Sequence, residues 1–177
     1  EESAEGGVAD ADFMWAVDPL DGTANFAAGV PLYAVSIGLL YKGVPVAGSL
    51  FLPSTFAGDG VYHARVGSGS FVEGEPLKVV SNSLPQPSGL ASIPASYGRG
   101  FSFKRESGNS LGEVRIMGSI ACEMVLVASG VFQYALFTGS HIWDVAAGVL
   151  LAQESQGQVL TRGPGNTEWH PLTSFAT

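Results

Sequence analysis

The chain has 177 residues, 46% of them hydrophobic, which is enough for one sizeable core arranged in one lobe or two. Its formal charge is −8 and no basic run occurs, which argues against nucleic-acid polymers and anionic membrane surfaces as partners. A single cysteine, Cys122, excludes an intrachain disulfide framework and fits a reducing, cytoplasmic setting.

The 24 glycines and 10 prolines predict many short elements joined by tight turns. Residues 1–12 are polar and read as a loop; the start at Glu1 rather than methionine reads as a fragment or a trimmed product. The apolar run 13–17 predicts a buried strand. It is expected to stop at Asp18, because Pro19 has no N–H to donate and holds the residue before it extended. Asp21-Gly22 is a turn pair, and Thr23 is placed to cap the next element. Residues 34–41 and 44–52 flank Lys42-Gly43 and predict a hairpin with strands buried on both faces. The longest apolar stretch, 26–41, is broken by Gly29, Pro31, Ser36 and Gly38, so no spanning helix is expected.

Short strands are expected at 61–64 and 69–72, with a turn at 73–75 before 76–80. Residues 81–89 read as a link between an N-terminal lobe, 1–80, and a C-terminal lobe, 90–177. In the second lobe, 90–94 and 114–117 predict strands around a polar loop or frayed helix at 97–112. Ser119 is placed to cap an almost wholly apolar helix over 120–129, closed by Gly130. A strand is expected at 131–137. Ile142, Val145, Ala146, Val149 and Leu150 fall at helical spacing, predicting a helix to Ser155 with Gly157 as its stop. A last strand at 158–161 precedes a loop-like tail.

Asp18 and Asp21, with the Leu20 carbonyl between them, offer hard oxygen ligands of the kind Mg²⁺ takes, with waters and phosphate oxygens completing the shell. The same residues also suit an Asx-turn that only caps backbone N–H groups. Asp144, near the start of the second long helix, reads locally as a cap or a dipole partner. Gly108-Asn109-Ser110-Leu111-Gly112 matches Gly-x-Ser-x-Gly, but a polar loop precedes it and a strand comes after, the reverse of a nucleophile elbow. Cys122 within an apolar helix reads as an inert core thiol. His63 and His170 have no ligand-like spacing.

Taken together, these segments form a larger pattern. The run from Trp15 to Phe26, Trp-Ala-Val-Asp-Pro-Leu-Asp-Gly-Thr-Ala-Asn-Phe, resembles the first signature of the inositol monophosphatase family. Trp143-Asp144-Val145-Ala146-Ala147-Gly148, running on to Glu154, resembles the second, and Glu1-Glu2-Ser3 is similar to the metal-binding segment upstream of the first. Gly118-Ser119 ahead of a helix also fits. The resemblance implies an α+β or α/β layered sandwich (αβαβα) and Mg²⁺-dependent, commonly Li⁺-sensitive, hydrolysis of phosphate monoesters. It implies two or three Mg²⁺ ions held by Glu1, Asp18, Asp21, Asp144 and the Leu20 carbonyl. Thr23, Asp18 and Glu1 would be the catalytic residues, with Thr23 orienting the attacking water. The N–H groups of Gly22 and Thr23 would hold phosphate, in keeping with the anion preference of helix N-termini. Ser119, His141 and Asp144 would border the substrate, with Phe137 shaping its pocket.

Three departures stand out. The family's helical segment ahead of Glu-Glu-Ser, which supplies part of the water-activating pair, is not in this sequence; an exposed apolar face is expected in its place. Phe137 stands four residues before His141, where inositol-cleaving members carry a carboxylate that grips ring hydroxyls. Glu154-Ser155-Gln156-Gly157 replaces Glu-Ala-Gly-Gly. The expected activity is hydrolysis of an inositol, sugar or polyol phosphate. The alternatives are a 3′(2′),5′-bisphosphate nucleotidase, a histidinol-phosphatase or a fructose-1,6-bisphosphatase of the same family, and, in another class, a non-catalytic metal-binding remnant. The expected partner is a small phosphorylated metabolite, with a homodimer also compatible.

Overall fold

In the computed structural model the described residues are 12–53, 60–77, 85–94, 111–163 and 168–175. Six antiparallel strands form the main sheet in chain order: β1 (Phe13–Asp21), β2 (Ala34–Tyr41), β3 (Val44–Leu52), β4 (Gly60–Arg65), β5 (Gly69–Val72) and β6 (Glu75–Pro76). A five-residue helix, α1 (Thr23–Ala27), sits between β1 and β2. The second half carries β7 (Leu90–Ser92), β8 (Glu113–Arg115), α2 (Ile120–Ala128), β9 (Phe132–Ala135), α3 (Ile142–Glu154) and the pair β10 (Leu160–Thr161) and β11 (His170–Pro171). β7 lies between β8 and β9, parallel to both. Residues 97–110 of the expected loop or helix, all of the Gly-x-Ser-x-Gly match but Leu111-Gly112, and residues 81–84 of the proposed link lie outside the described residues.

The first strand does not stop at Asp18. Asp18 pairs with Ser36 and Asp21 with Ala34, so three steps along β1 oppose two along β2. That is a bulge, and Pro19, which has no N–H to donate, lies within it. The bulge decides the geometry of the turn. In a regular strand, residues three apart point to opposite faces. One inserted residue restores the parity, and Asp21 joins Asp18 on the face that meets the helices.

The β2–β3 hairpin falls where the sequence placed it, but its strands are not buried on both faces. β2 alternates, with Ala34, Ser36, Gly38 and Leu40 buried while Ile37 and Tyr41 are exposed. The inward face is smooth enough for α3 to lie directly on the sheet. A Cβ on Gly38 would stand 2.9 Å from Ala146 Cβ, and one on Gly48 would stand 2.9 Å from Ala147 Cα.

The helices are buried more completely than a one-sided amphipathic pattern implies. Every residue of α3 from Val145 to Ala152 is buried, as befits a helix sandwiched between layers. The main core joins both halves of the chain. Leu50, Leu52, Tyr62 and Ala64 from the sheet pack with Cys122 and Val125 of α2 and Leu150 and Leu151 of α3. Ser119 caps α2 as its position implied, accepting a hydrogen bond from the Cys122 N–H.

Thr23 does not cap α1. Gly22 takes the cap position with φ +86°, and Thr23 is the first helical residue. The stop after α3 also differs. The left-handed residue is Gln156, at φ +66°, rather than Gly157. Beside it, the Glu154 carboxylate accepts from the Gly67 and Gly69 N–H groups, each at 2.8 Å, tying the end of α3 to the β4–β5 turn.

Candidate metal and phosphate site

The β1 bulge, the start of α1 and the N-terminal ends of α2 and α3 converge on one cleft of about 380 Å³. Its lining is Asp18, Leu20, Asp21, Gly22, Thr23, Ala24, Gly118, Ile120, His141 and Asp144. Residues from positions 18 to 24 and from 141 to 144 thus meet across a long sequence gap. No lysine or arginine is among them.

Each aspartate is held by hydrogen bonds to the backbone around it. Asp18 is buried, and its Oδ1 accepts from the Leu20 N–H at 2.9 Å. The Asx-turn and the ligand readings are therefore compatible on one side chain, since a carboxylate has two oxygens with several lone pairs between them. Asp21 Oδ2 accepts from Ser119 Oγ at 2.5 Å and from the Ala121 N–H at 2.7 Å. Asp144 lies in the first turn of α3, and its Oδ2 accepts from the His141 N–H at 2.7 Å. The His141 ring stacks on Trp143, with centroids 4.5 Å apart and planes 7° from parallel.

Burial lifts the Asp21 carboxyl to a pKa of about 6. The Ser119 and Ala121 hydrogen bonds pull it down, while the negative charges of Asp18 and Asp144 push it up. Three carboxylates beside Leu20, with no lysine or arginine in the lining, are a set that fits a hard divalent cation. Among the described residues no three acidic, histidine or cysteine groups close on a single point. The aspartates border the cleft rather than meet within it. Glu1, expected as a further ligand, lies outside the described residues.

Ser119 and Phe137 are absent from this lining. Ser119 is buried beneath Asp21, and Phe137 packs against the cluster of Met124, Val145 and Val149. Gly22 has a steric reason to be glycine, since a Cβ there would stand 2.8 Å from the Leu32 carbonyl oxygen.

Two residues of consequence escaped the sequence reading. The Asn25 amide donates to the carbonyls of Leu32 and Met117, at 2.7 and 2.8 Å, and so ties α1 to the segment entering α2. Glu123 is buried in the first turn of α2, where its carboxylate accepts from the Met117 N–H at 2.9 Å. Burial raises its pKa, opposed by hydrogen bonds from Ser92, Met117 and Gly118. A carboxylate inside an otherwise apolar helix was the available signal. Cys122 is buried beside it, and burial lifts its thiol to about 11, as expected of an inert core cysteine.

Comparison with known proteins bears on the family and the fold. An inositol-1-monophosphatase of Mesorhizobium japonicum is 38% identical over 155 residues, covering 85% of this chain and 57% of that protein. A fructose-1,6-bisphosphatase/inositol-1-monophosphatase of Aquifex aeolicus is 31% identical over 162 residues, covering 89% of this chain and 60% of that protein. The solved structure of an inositol monophosphatase from Anabaena superposes with a TM-score of 0.70 at 32% identity, covering 91% of this chain and 64% of that one. The chain thus spans less than two thirds of the length of these relatives. The layered α/β architecture is shared, and the family model matches residues 1–174, so this chain belongs to the inositol monophosphatase family.

Proposed function

We propose that this chain carries the metal-binding face of a Mg²⁺-dependent phosphomonoesterase acting on a small phosphorylated metabolite. The observation that carries the reading is the cleft bordered by Asp18, Asp21 and Asp144, with no lysine or arginine among the described residues that line it. Such a site repels a phosphate by itself and accepts one when divalent cations are held there. Bound Mg²⁺ would supply a more acidic water and neutralise charge on the phosphate and the leaving oxygen. Asp18, Asp21, Asp144 and the Leu20 carbonyl would hold it, with Glu1 as a further ligand.

The chain's own residues take the remaining roles. The Thr23 hydroxyl would orient the attacking water, with Asp18 and Glu1 as the catalytic carboxylates. The N–H groups of Gly22 and Thr23 receive the phosphate at the opening turn of α1. His141 borders the alcohol side of the cleft. Lithium sensitivity, a cytoplasmic location and a homodimer belong to the same reading.

Phe137 stands at the position where the resemblance places a carboxylate that grips ring hydroxyls, and it is not among the residues lining the cleft. Packed against Met124, Val145 and Val149, it accepts no hydrogen bond from a polyol hydroxyl. Without that carboxylate, sugar and nucleotide phosphates stand beside inositol phosphate as candidates, and the Aquifex relative carries both fructose-1,6-bisphosphatase and inositol-1-monophosphatase in its name.

The test is phosphate release from a panel of inositol, sugar and nucleotide monoesters with Mg²⁺, using the longest polypeptide that carries these residues. Release that disappears in Asp18→Asn is expected. No release from any monoester, in a protein that still binds Mg²⁺ by calorimetry, would establish the non-catalytic remnant instead.

A further inference from the structure

Ser119 is 2% exposed, so neither bulk water nor a substrate in the cleft reaches its hydroxyl. A serine hydroxyl has one proton to give. Here that proton goes to Asp21 Oδ2 at 2.5 Å, while the oxygen accepts from the Cys122 N–H at 3.2 Å. The Ala121 N–H donates to the same Asp21 oxygen at 2.7 Å. Both hydrogen bonds on the Asp21 carboxylate therefore fall on Oδ2, and among the described residues none falls on Oδ1. The segment supplying these donors is itself anchored, because the Met117 carbonyl is held by the Asn25 amide.

We propose that Ser119 is a positioning residue for the metal site. With the Ala121 N–H it occupies Asp21 Oδ2, so that the carboxylate meets a divalent cation through Oδ1 alone. The inference rests on the reading of Asp21 as a metal ligand and extends it to ion selectivity. Mg²⁺ demands near-octahedral geometry, whereas Ca²⁺ accepts carboxylates through one oxygen or two. Holding Oδ2 away from the ion favours the smaller cation. Partners that orient a ligand contribute about 10–100-fold in metal affinity.

The test compares wild type, Ser119→Gly and Ser119→Thr by calorimetric titration with Mg²⁺ and with Ca²⁺, alongside melting curves without metal. Glycine is a tolerable helix cap, costing only a few tenths of a kcal/mol against serine. It removes the donor to Asp21 while leaving α2 formed. The expected result is Mg²⁺ affinity lowered about 10-fold or more in Ser119→Gly, Ca²⁺ affinity lowered much less, and recovery in Ser119→Thr. Mg²⁺ binding in Ser119→Gly within twofold of wild type overturns the proposal, as does equal loss of both ions. So does a folded Ser119→Thr as weak as Ser119→Gly. A wild-type protein that binds no Mg²⁺ overturns the underlying assignment of Asp21, which is a different outcome read in the same experiment.

Discussion

The Asn25 amide donates to the Met117 carbonyl oxygen across 2.8 Å, joining positions 92 residues apart. A second bond, to the Leu32 carbonyl, uses the other amide proton. A Cβ on Gly118 would stand only 3.1 Å from this amide, so the two segments meet without a spacer. Asn25→Ala leaves both carbonyls without this donor and is expected to cost about 1–3 kcal/mol in urea denaturation. Asn25→Asp should cost more at neutral pH, because a carboxylate would then face two carbonyl oxygens.

Gly38 and Gly48 allow α3 to lie on the sheet. Gly38→Ala drives a methyl group to 2.9 Å from Ala146 Cβ, a rigid neighbour, and should destabilise by about 1–3 kcal/mol. The double variant Gly38→Ala/Ala146→Gly, which relieves the clash, should recover part of that loss beyond what glycine in a helix costs. A double-mutant cycle by denaturation measures the coupling.

Gln156 holds φ at +66°, a region costly for a residue with a Cβ. Gln156→Gly relieves that strain, offset in part by the greater chain entropy of glycine when unfolded. The net expectation is a gain of about 0.5–1 kcal/mol, read as a higher melting temperature with metal binding unchanged.

With Asp21 read as a metal ligand, its titration is expected to make both metal binding and stability depend on pH. Its folded pKa of about 6 lies above the ordinary 3.8. Protonation therefore favours the metal-free fold: the stabilisation is present below about pH 4 and is lost as pH rises through 6. Without metal, wild type should lose stability relative to Asp21→Asn between pH 4 and 7, and Mg²⁺ should reverse the order at pH 7. Calorimetry in two buffers of different ionisation enthalpy should show a proton released on Mg²⁺ binding near pH 5.5 and little release at pH 8.

Away from the helices, the main sheet presents Phe13, Trp15, Val17, Ile37, Phe51 and Val61, each exposed. Val17 pairs with Ile37, and Phe51 pairs with Val61, so the apolar surface spans neighbouring strands. A patch of this kind on the 177-residue chain should bind a hydrophobic dye and promote self-association at rising concentration. Trp15→Thr, which removes a ring that is 65% exposed, should reduce both, as read by dye fluorescence and sedimentation, without lowering Mg²⁺ affinity.

What the sequence determined by itself was local. Two carboxylates around Pro19, the hairpin across Lys42-Gly43, the Ser119 cap and the span of α3 come from turn chemistry, capping and periodicity, all settled within a few residues. Matching signatures at 15–26 and 143–154 also placed Asp18, Asp21 and Asp144 in one family pattern. Tertiary structure decided how those pieces face one another. The bulge that turns Asp21 to the side of Asp18 comes from register against β2, which no single strand specifies. Ser119 reads as a cap from its own neighbours, and only packing brings its hydroxyl to Asp21, 98 residues away. Asn25 reads as one more polar residue in a turn until two distant carbonyls are set around its amide. Helix caps and turns report on the backbone within a few residues, whereas the second partner of each side chain is chosen by the fold.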